Sequence, residues 1–115
     1  MMMLRLAATF VIALTIAVTA AAPLRAEDVV TYETTLKGAA FTVAEIKVPA
    51  GKPFIIRMTN ANPAPAELEA KELKIEKAAA GNSTIVVRVK AMEPGKYLFV
   101  DEYQEDIAKG YVIVE

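Results

Sequence analysis

Apolar and polar residues alternate along most of this chain in short runs, and the period of the alternation is two. Phe54, Ile56 and Met58 fall on one side of an extended segment while Ile55, Arg57 and Thr59 fall on the other, the signature of a half-buried strand. Ile85, Val87 and Val89 alternate with Val86, Arg88 and Lys90 in the same way. Leu73 and Ile75 stand opposite Lys74 and Glu76, which predicts another strand through that segment. Residues 97–100 and 111–114 are apolar on both faces and are predicted to be central strands. No helical stripe interrupts this pattern beyond residue 28.

Turn chemistry separates the runs. Residues 49–53 (PAGKP) and 80–83 (AGNS) each break a pair of strands, and Lys109-Gly110 opens the last one. Residues 93–96 (EPGK) place Pro and Gly where a type II turn uses them, because proline presets φ and glycine accepts a positive value. Pro63 and Pro65 bar regular pairing in residues 60–66, which read as a rigid loop. Residues 101–109 accommodate one helical turn around DIAK. Six to eight short strands spaced in this manner predict an all-β fold, an antiparallel sandwich or a small barrel.

The first 26 residues follow a different rule. Arg5 supplies a thin positive start, residues 6–24 carry no charge, and small residues precede Ala26. This is the pattern of a secretory signal peptide cleaved after Ala26, leaving a domain over residues 27–115. The alternative is an uncleaved anchor, since the uncharged run approaches the ~20 residues that cross a bilayer. Cleavage removes Arg5 and Arg25 and no acid. The domain then carries eleven basic against fourteen acidic residues, a net charge of −3. That balance gives no footing for nucleic acid or anionic lipid. Eighty-nine residues suffice for one core, and without cysteine that core must hold by packing alone. A periplasmic location is expected.

The missing residue types exclude several chemistries. With no Cys and no His, the usual nucleophile–base pairs cannot be assembled, and no glycine-rich phosphate loop follows any predicted strand.

Three phrases taken together resemble the cupredoxin-like domain family, in particular the branch associated with bacterial ferrous-iron permease systems. They are FTVAEIKVPAGKPFIIRMTNAN, AELEAKELKIEKAAAG and MEPGKYLFVDEYQEDIAKGYVIVE, and the likeness covers residues 29–115. It rests on the PAG turn before a strand ending in Thr-Asn, a Glu-x-Glu strand, PGxYxF, an acidic loop and KGxxxV, in that order. The resemblance implies a Greek-key antiparallel β-sandwich. It also implies handling of iron or copper, with an iron permease or its periplasmic iron-binding companion as partner. Members that transfer electrons place Cys, His and often Met in the last loop, and a further His after the Thr-Asn strand. None of the Cys or His positions is filled here, so type 1 blue copper is excluded. Iron-system members carry His in the acidic loop where this chain has Gln104, and an aromatic between the two glutamates where it has Leu68.

The carboxylate component of such a site remains. Glu67 and Glu69 are two apart, so a strand points both to one face. The implied topology brings that face near Asp101, Glu102 and Glu105, giving an oxygen-only donor set to which Met92 could add a thioether. The competing reading is a solvated acidic edge that discourages strand-to-strand aggregation. Met58 is in phase with the core residues and is expected to pack. Tyr97 resembles a tyrosine corner, and Tyr103 is expected to plug the end of the sandwich. Lys71, Lys74 and Lys77, with Glu72 and Glu76 among them, read as a solvated face. Functionally, these features predict a periplasmic metal-handling protein. The alternatives are a degenerate cupredoxin serving as a protein-interaction module and a copper-dependent ferroxidase.

Overall fold

The computed structural model describes residues 11–17 and 29–115. The expected signal peptide and its cleavage junction lie outside the described residues except for 11–17, which form no helix or strand. No helix among the described residues is long and apolar enough to cross a membrane.

Among the described residues, nine strands form two facing sheets. In chain order they are β1 (Val30–Lys37), β2 (Ala40–Phe41), β3 (Glu45–Val48), β4 (Phe54–Asn60), β5 (Ala66–Ala70), β6 (Ile75–Ala79), β7 (Ser83–Val89), β8 (Gly95–Asp101) and β9 (Lys109–Val114). Two single turns of 3-10 helix, η1 (Lys71–Leu73) and η2 (Glu102–Gln104), interrupt them. One sheet has the order β2-β1-β4-β7 and the other β3-β9-β8-β5-β6. The all-β sandwich is the expected one, with more strands than the six to eight predicted. Both sheets are mixed rather than antiparallel, because β1 runs parallel to β4 and β3 parallel to β9.

Strand periodicity determines what lies between the sheets. Phe54, Ile56 and Met58 of β4 point inward, as do Leu68, Val89, Phe99 and Val112, all of them buried. Met58 is thus a core residue, as its phase predicts. Phe41 meets Phe99 edge to face with ring centroids 4.9 Å apart. Truncating an aromatic at such a position costs about 3–5 kcal/mol. The doubly apolar β8 and β9 do lie inside their sheet.

Two local expectations differ from the structure and a third is met. Residues 71–74 do not continue a strand, because η1 ends at Lys74 in the left-handed region at φ 55°. The left-handed glycines among the described residues are Gly38 and Gly51, so Gly95 does not close a type II turn and instead begins β8. The helical turn expected within residues 101–109 is present: it begins at 102–104, where the Asp101 side chain accepts a hydrogen bond from the Tyr103 amide and caps it, and the Ala108 amide bonds back to the Gln104 carbonyl at 2.8 Å.

Candidate functional site

The sheet ends at which β4 and β8 stop and β5 starts are tied together by side-chain amides. Asn60, fully buried, donates from Nδ2 to the carbonyls of Ala64, Ala79 and Ala80 at 2.9–3.3 Å. Asn62 exchanges two hydrogen bonds with the backbone of Gly38, at 2.7 and 2.8 Å. Gly81 is required beside them, since a Cβ there would collide with the Pro63 carbonyl. Loops 38–39, 60–66 and 80–82 therefore form a fixed platform, and β5 leaves it with Glu67 and Glu69 on the outer face of the five-stranded sheet.

Glu67, Glu76 and Glu102 converge there. One carboxylate oxygen from each lies within 4.8 Å of the other two. Three elements supply them: β5, β6 and η2. Glu102, half-buried, has its pKa raised from 4.5 to about 7, first by a side-chain hydrogen bond to Glu67, then by desolvation and by the charges of Glu67 and Glu69. Glu76 is raised by the same hydrogen bond and charge from Glu67, with Lys71 opposing. The negative charge of Glu67, followed by a hydrogen bond to it, lifts the Tyr103 phenol. Tyr103 is exposed and turned toward Glu67, so it does not plug the sandwich. Crowded carboxylates resist losing their last proton, and a proton or a cation relieves the repulsion.

The structure distributes the predicted site residues unevenly. Glu67 and Glu102 belong to the cluster. Glu69 adjoins it, and its carboxylate lies 3.5 Å from Lys71 Nζ. Glu76 was expected on a solvated face. It arrives because β5 and β6 pair with Glu69 opposite Glu76. The alternation of Glu76 with buried Ile75 was visible, but the hairpin register was not.

Asp101 is not with the cluster. It is 2 % exposed and points inward with Tyr97 and Phe99. Its Oδ1 accepts from the amides of Glu67 at 3.0 Å and Tyr103 at 3.3 Å, and its Oδ2 accepts from Gln104 Nε2 at 3.0 Å. Asp101 therefore braces Glu67 and η2 from inside, and Gln104 serves Asp101. Glu105 lies further along the loop, over β8. Met92 packs against the core before β8, where its carbonyl accepts from the Gly51 amide at 3.1 Å. The seven residues of β8 separate it from the acidic loop by about 20 Å at ~3.3 Å per residue. Tyr97 does form the expected corner, its hydroxyl donating to the Glu93 carbonyl at 2.8 Å.

Comparison with known proteins gives this architecture a family. The sequence profile described as Cupredoxin-like domain matches residues 6–114. No curated protein sequence matches. Among solved structures, the chain resembles the metal-binding domain of the Cu(I)-exporting P-type ATPase CopA of Streptococcus pneumoniae D39. The TM-score is 0.68 at 20 % identity, over 78 % of this chain and 90 % of that one. It also resembles auracyanin A, a "blue" copper protein of Chloroflexus aurantiacus, with a TM-score of 0.64 at 20 % identity over 74 % and 98 % of the two chains. Amicyanin of Paracoccus versutus follows at 0.56 and 18 %, over 78 % and 84 %. At these identities the structural likeness speaks for the fold, while the profile match spans nearly the whole sequence: the chain belongs to the cupredoxin-like domain family.

Proposed function

We propose that this protein binds and hands on a hard metal ion, with iron as the cargo, at Glu67, Glu76 and Glu102. The observation that carries this reading is the convergence of three carboxylates from three separate elements on one outer face. Copper in the type 1 manner does not fit the residues present, because the chain offers neither thiolate nor imidazole. No electron-transfer step follows from this site. Oxygen-only donors suit hard cations and disfavour Cu(I).

The residues divide the work. Glu102, its pKa raised to about 7 by its hydrogen bond to Glu67, carries the proton that an arriving cation displaces. Glu69 adds negative potential behind them, and the long, exposed Lys71 side chain moderates it. Asp101 holds the Glu67 amide and fixes where the cluster forms, without being a ligand itself. Glu105 and Met92 stand outside the ligand set. A shallow, solvent-facing site of this kind suits capture and transfer better than storage. In this reading the cargo passes to an iron permease or its iron-binding companion, in the periplasm.

The test is a titration of the purified full chain with Fe(III) and Cu(II) against a competing chelator. One-to-one binding that disappears in Glu67→Gln/Glu102→Gln and persists in Glu105→Gln and Met92→Leu supports the reading. Equal binding by the double variant, or none that outcompetes the chelator, overturns it. Co-purification with an iron permease would test the partner separately.

A further inference from the structure

A second feature occupies the outer face of the five-stranded sheet beside the carboxylate cluster, sharing Glu69 and Lys71 with its surroundings but none of Glu67, Glu76 and Glu102. The side chains of Leu98 and Val100 point out of β8; Leu98 is 41 % exposed, and Val100 beside it is 8 % exposed at the bottom of the groove. η1 rises on one side of them and the segment after η2 on the other, enclosing a groove of about 300 Å³. Glu69, Glu72, Glu105 and Asp106 rim the groove. Its one cationic lining residue is Lys71, whose ammonium is 3.5 Å from Glu69 on a side chain 88 % exposed, so it can swing clear.

We propose that this groove docks an extended basic segment of a partner protein, with an arginine or lysine stem lying on Leu98 and Val100 and its charged head among Glu72, Glu105 and Asp106. The apolar floor and the acidic rim each contribute an argument. A long cationic side chain presents methylenes along its length and charge only at its tip, so it satisfies floor and rim together. An acidic or neutral peptide would satisfy the floor alone, and a bare cation the rim alone. Four carboxylates against one ammonium give the charge complementarity that selects the first of these. A second copy of the chain is a poorer occupant. Its exposed arginines, Arg57 and Arg88, stand mid-strand on the outer face of β4 and β7 and not on an extended free segment, and Arg57 is paired with Glu33 at 3.6 Å.

This inference is independent of metal binding, and the experiment separates the two. The probe is the peptide acetyl-Gly-Arg-Leu-Arg-Gly-amide, with the Gln-Leu-Gln and Glu-Leu-Glu counterparts as controls. Binding to the 15N-labelled full chain is followed through its amide resonances. The arginine peptide is expected to shift Leu98, Val100 and Glu105 saturably, and the effect should weaken as salt rises from about 20 to about 300 mM. Glu105→Lys/Asp106→Lys should bind at least about tenfold more weakly, whereas Glu67→Gln/Glu102→Gln should bind as the parent does. Glu105 and Asp106 are exposed, and the amide spectrum of each variant before peptide is added checks that the half-buried Glu67 and Glu102 pair is replaced without loss of fold. Equal binding of the glutamine peptide, shifts centred on Glu76 and Glu102, or no saturable shift would each overturn the proposal.

Discussion

Asp101 and Glu102 are adjacent acids in one loop, and the structure gives them opposite duties. Replacing Asp101 with Ala removes three hydrogen bonds to a buried carboxylate, two of them from the backbone amides of Glu67 and Tyr103. Hydrogen bonds to charged groups contribute about 1.5–3 kcal/mol each, and a stranded buried donor costs about 1–3 kcal/mol. The three share one acceptor group and will not add fully. A loss of about 3–5 kcal/mol is therefore expected, and for a domain of this size about 3 kcal/mol lowers Tm by roughly 12–24 °C. Asp101→Asn should fall between, since Oδ1 can still serve both amides while its new NH2 group confronts that of Gln104 until the latter flips. Urea unfolding followed by tyrosine fluorescence reads both variants. Glu102→Gln should change stability little and metal affinity greatly, the reverse of the Asp101 pattern. An Asp101→Ala chain within about 0.5 kcal/mol of the parent would refute the bracing role.

Other expectations follow from single contacts. Because the Glu102 pKa is raised to about 7 from 4.5, the folded state holds a proton there that the unfolded state has lost, so this group's contribution to stability is full below about 4.5 and disappears as pH rises through about 7. Unfolding midpoints measured across that window should decline in the parent and flatten in Glu102→Gln, and metal affinity should rise over the same interval; a parent profile identical to the variant's would refute the shift. Gly110→Ala places a Cβ 2.7 Å from the Ala44 carbonyl oxygen and against the Phe99 ring, and overpacking of this sort costs about 1–3 kcal/mol by denaturant titration. Tyr97→Phe removes the hydroxyl bond to Glu93 and should cost about 0.5–1.5 kcal/mol, toward the lower end because the bond is exposed.

How far the sequence leads depends on whether a property is local. The strands β4 and β7 were legible because their alternation is complete, and β8 and β9 because apolar residues fill both faces. The pairing of Glu67 with Glu102 was also foreseen in part, as the acids of one strand face and one loop. What escaped is long-range or directional. Glu76 joins through hairpin register, hidden by the left-handed break at Lys74. Asp101 was grouped with the exposed acids, although continuing the period of two from Tyr97 and Phe99 places it inside. Met92 was allowed as an added thioether at the acidic end, while the direction of β8 carries it to the other, where it packs against the core. The parallel pairs β1–β4 and β3–β9 have no sequence signature of their own, because each joins strands that are not neighbours along the chain.

The last of those pairs governs when the protein can exist as a folded object. β9 lies between β3 and β8, and its residue Val114 pairs with Val48, 66 positions earlier. Until that strand arrives, β3 has no neighbour in its sheet and β8 lacks a partner along one side. Contacts of such high sequence separation reward the chain only after the intervening loop has been closed. Without the residues beyond 108 the chain holds an incomplete sheet and an open core, since Val112 and Val114 are missing from it. Completion of the five-stranded sheet is thus tied to the slowest kind of contact in the fold, a pairing that spans most of the domain and cannot be prepared by local structure.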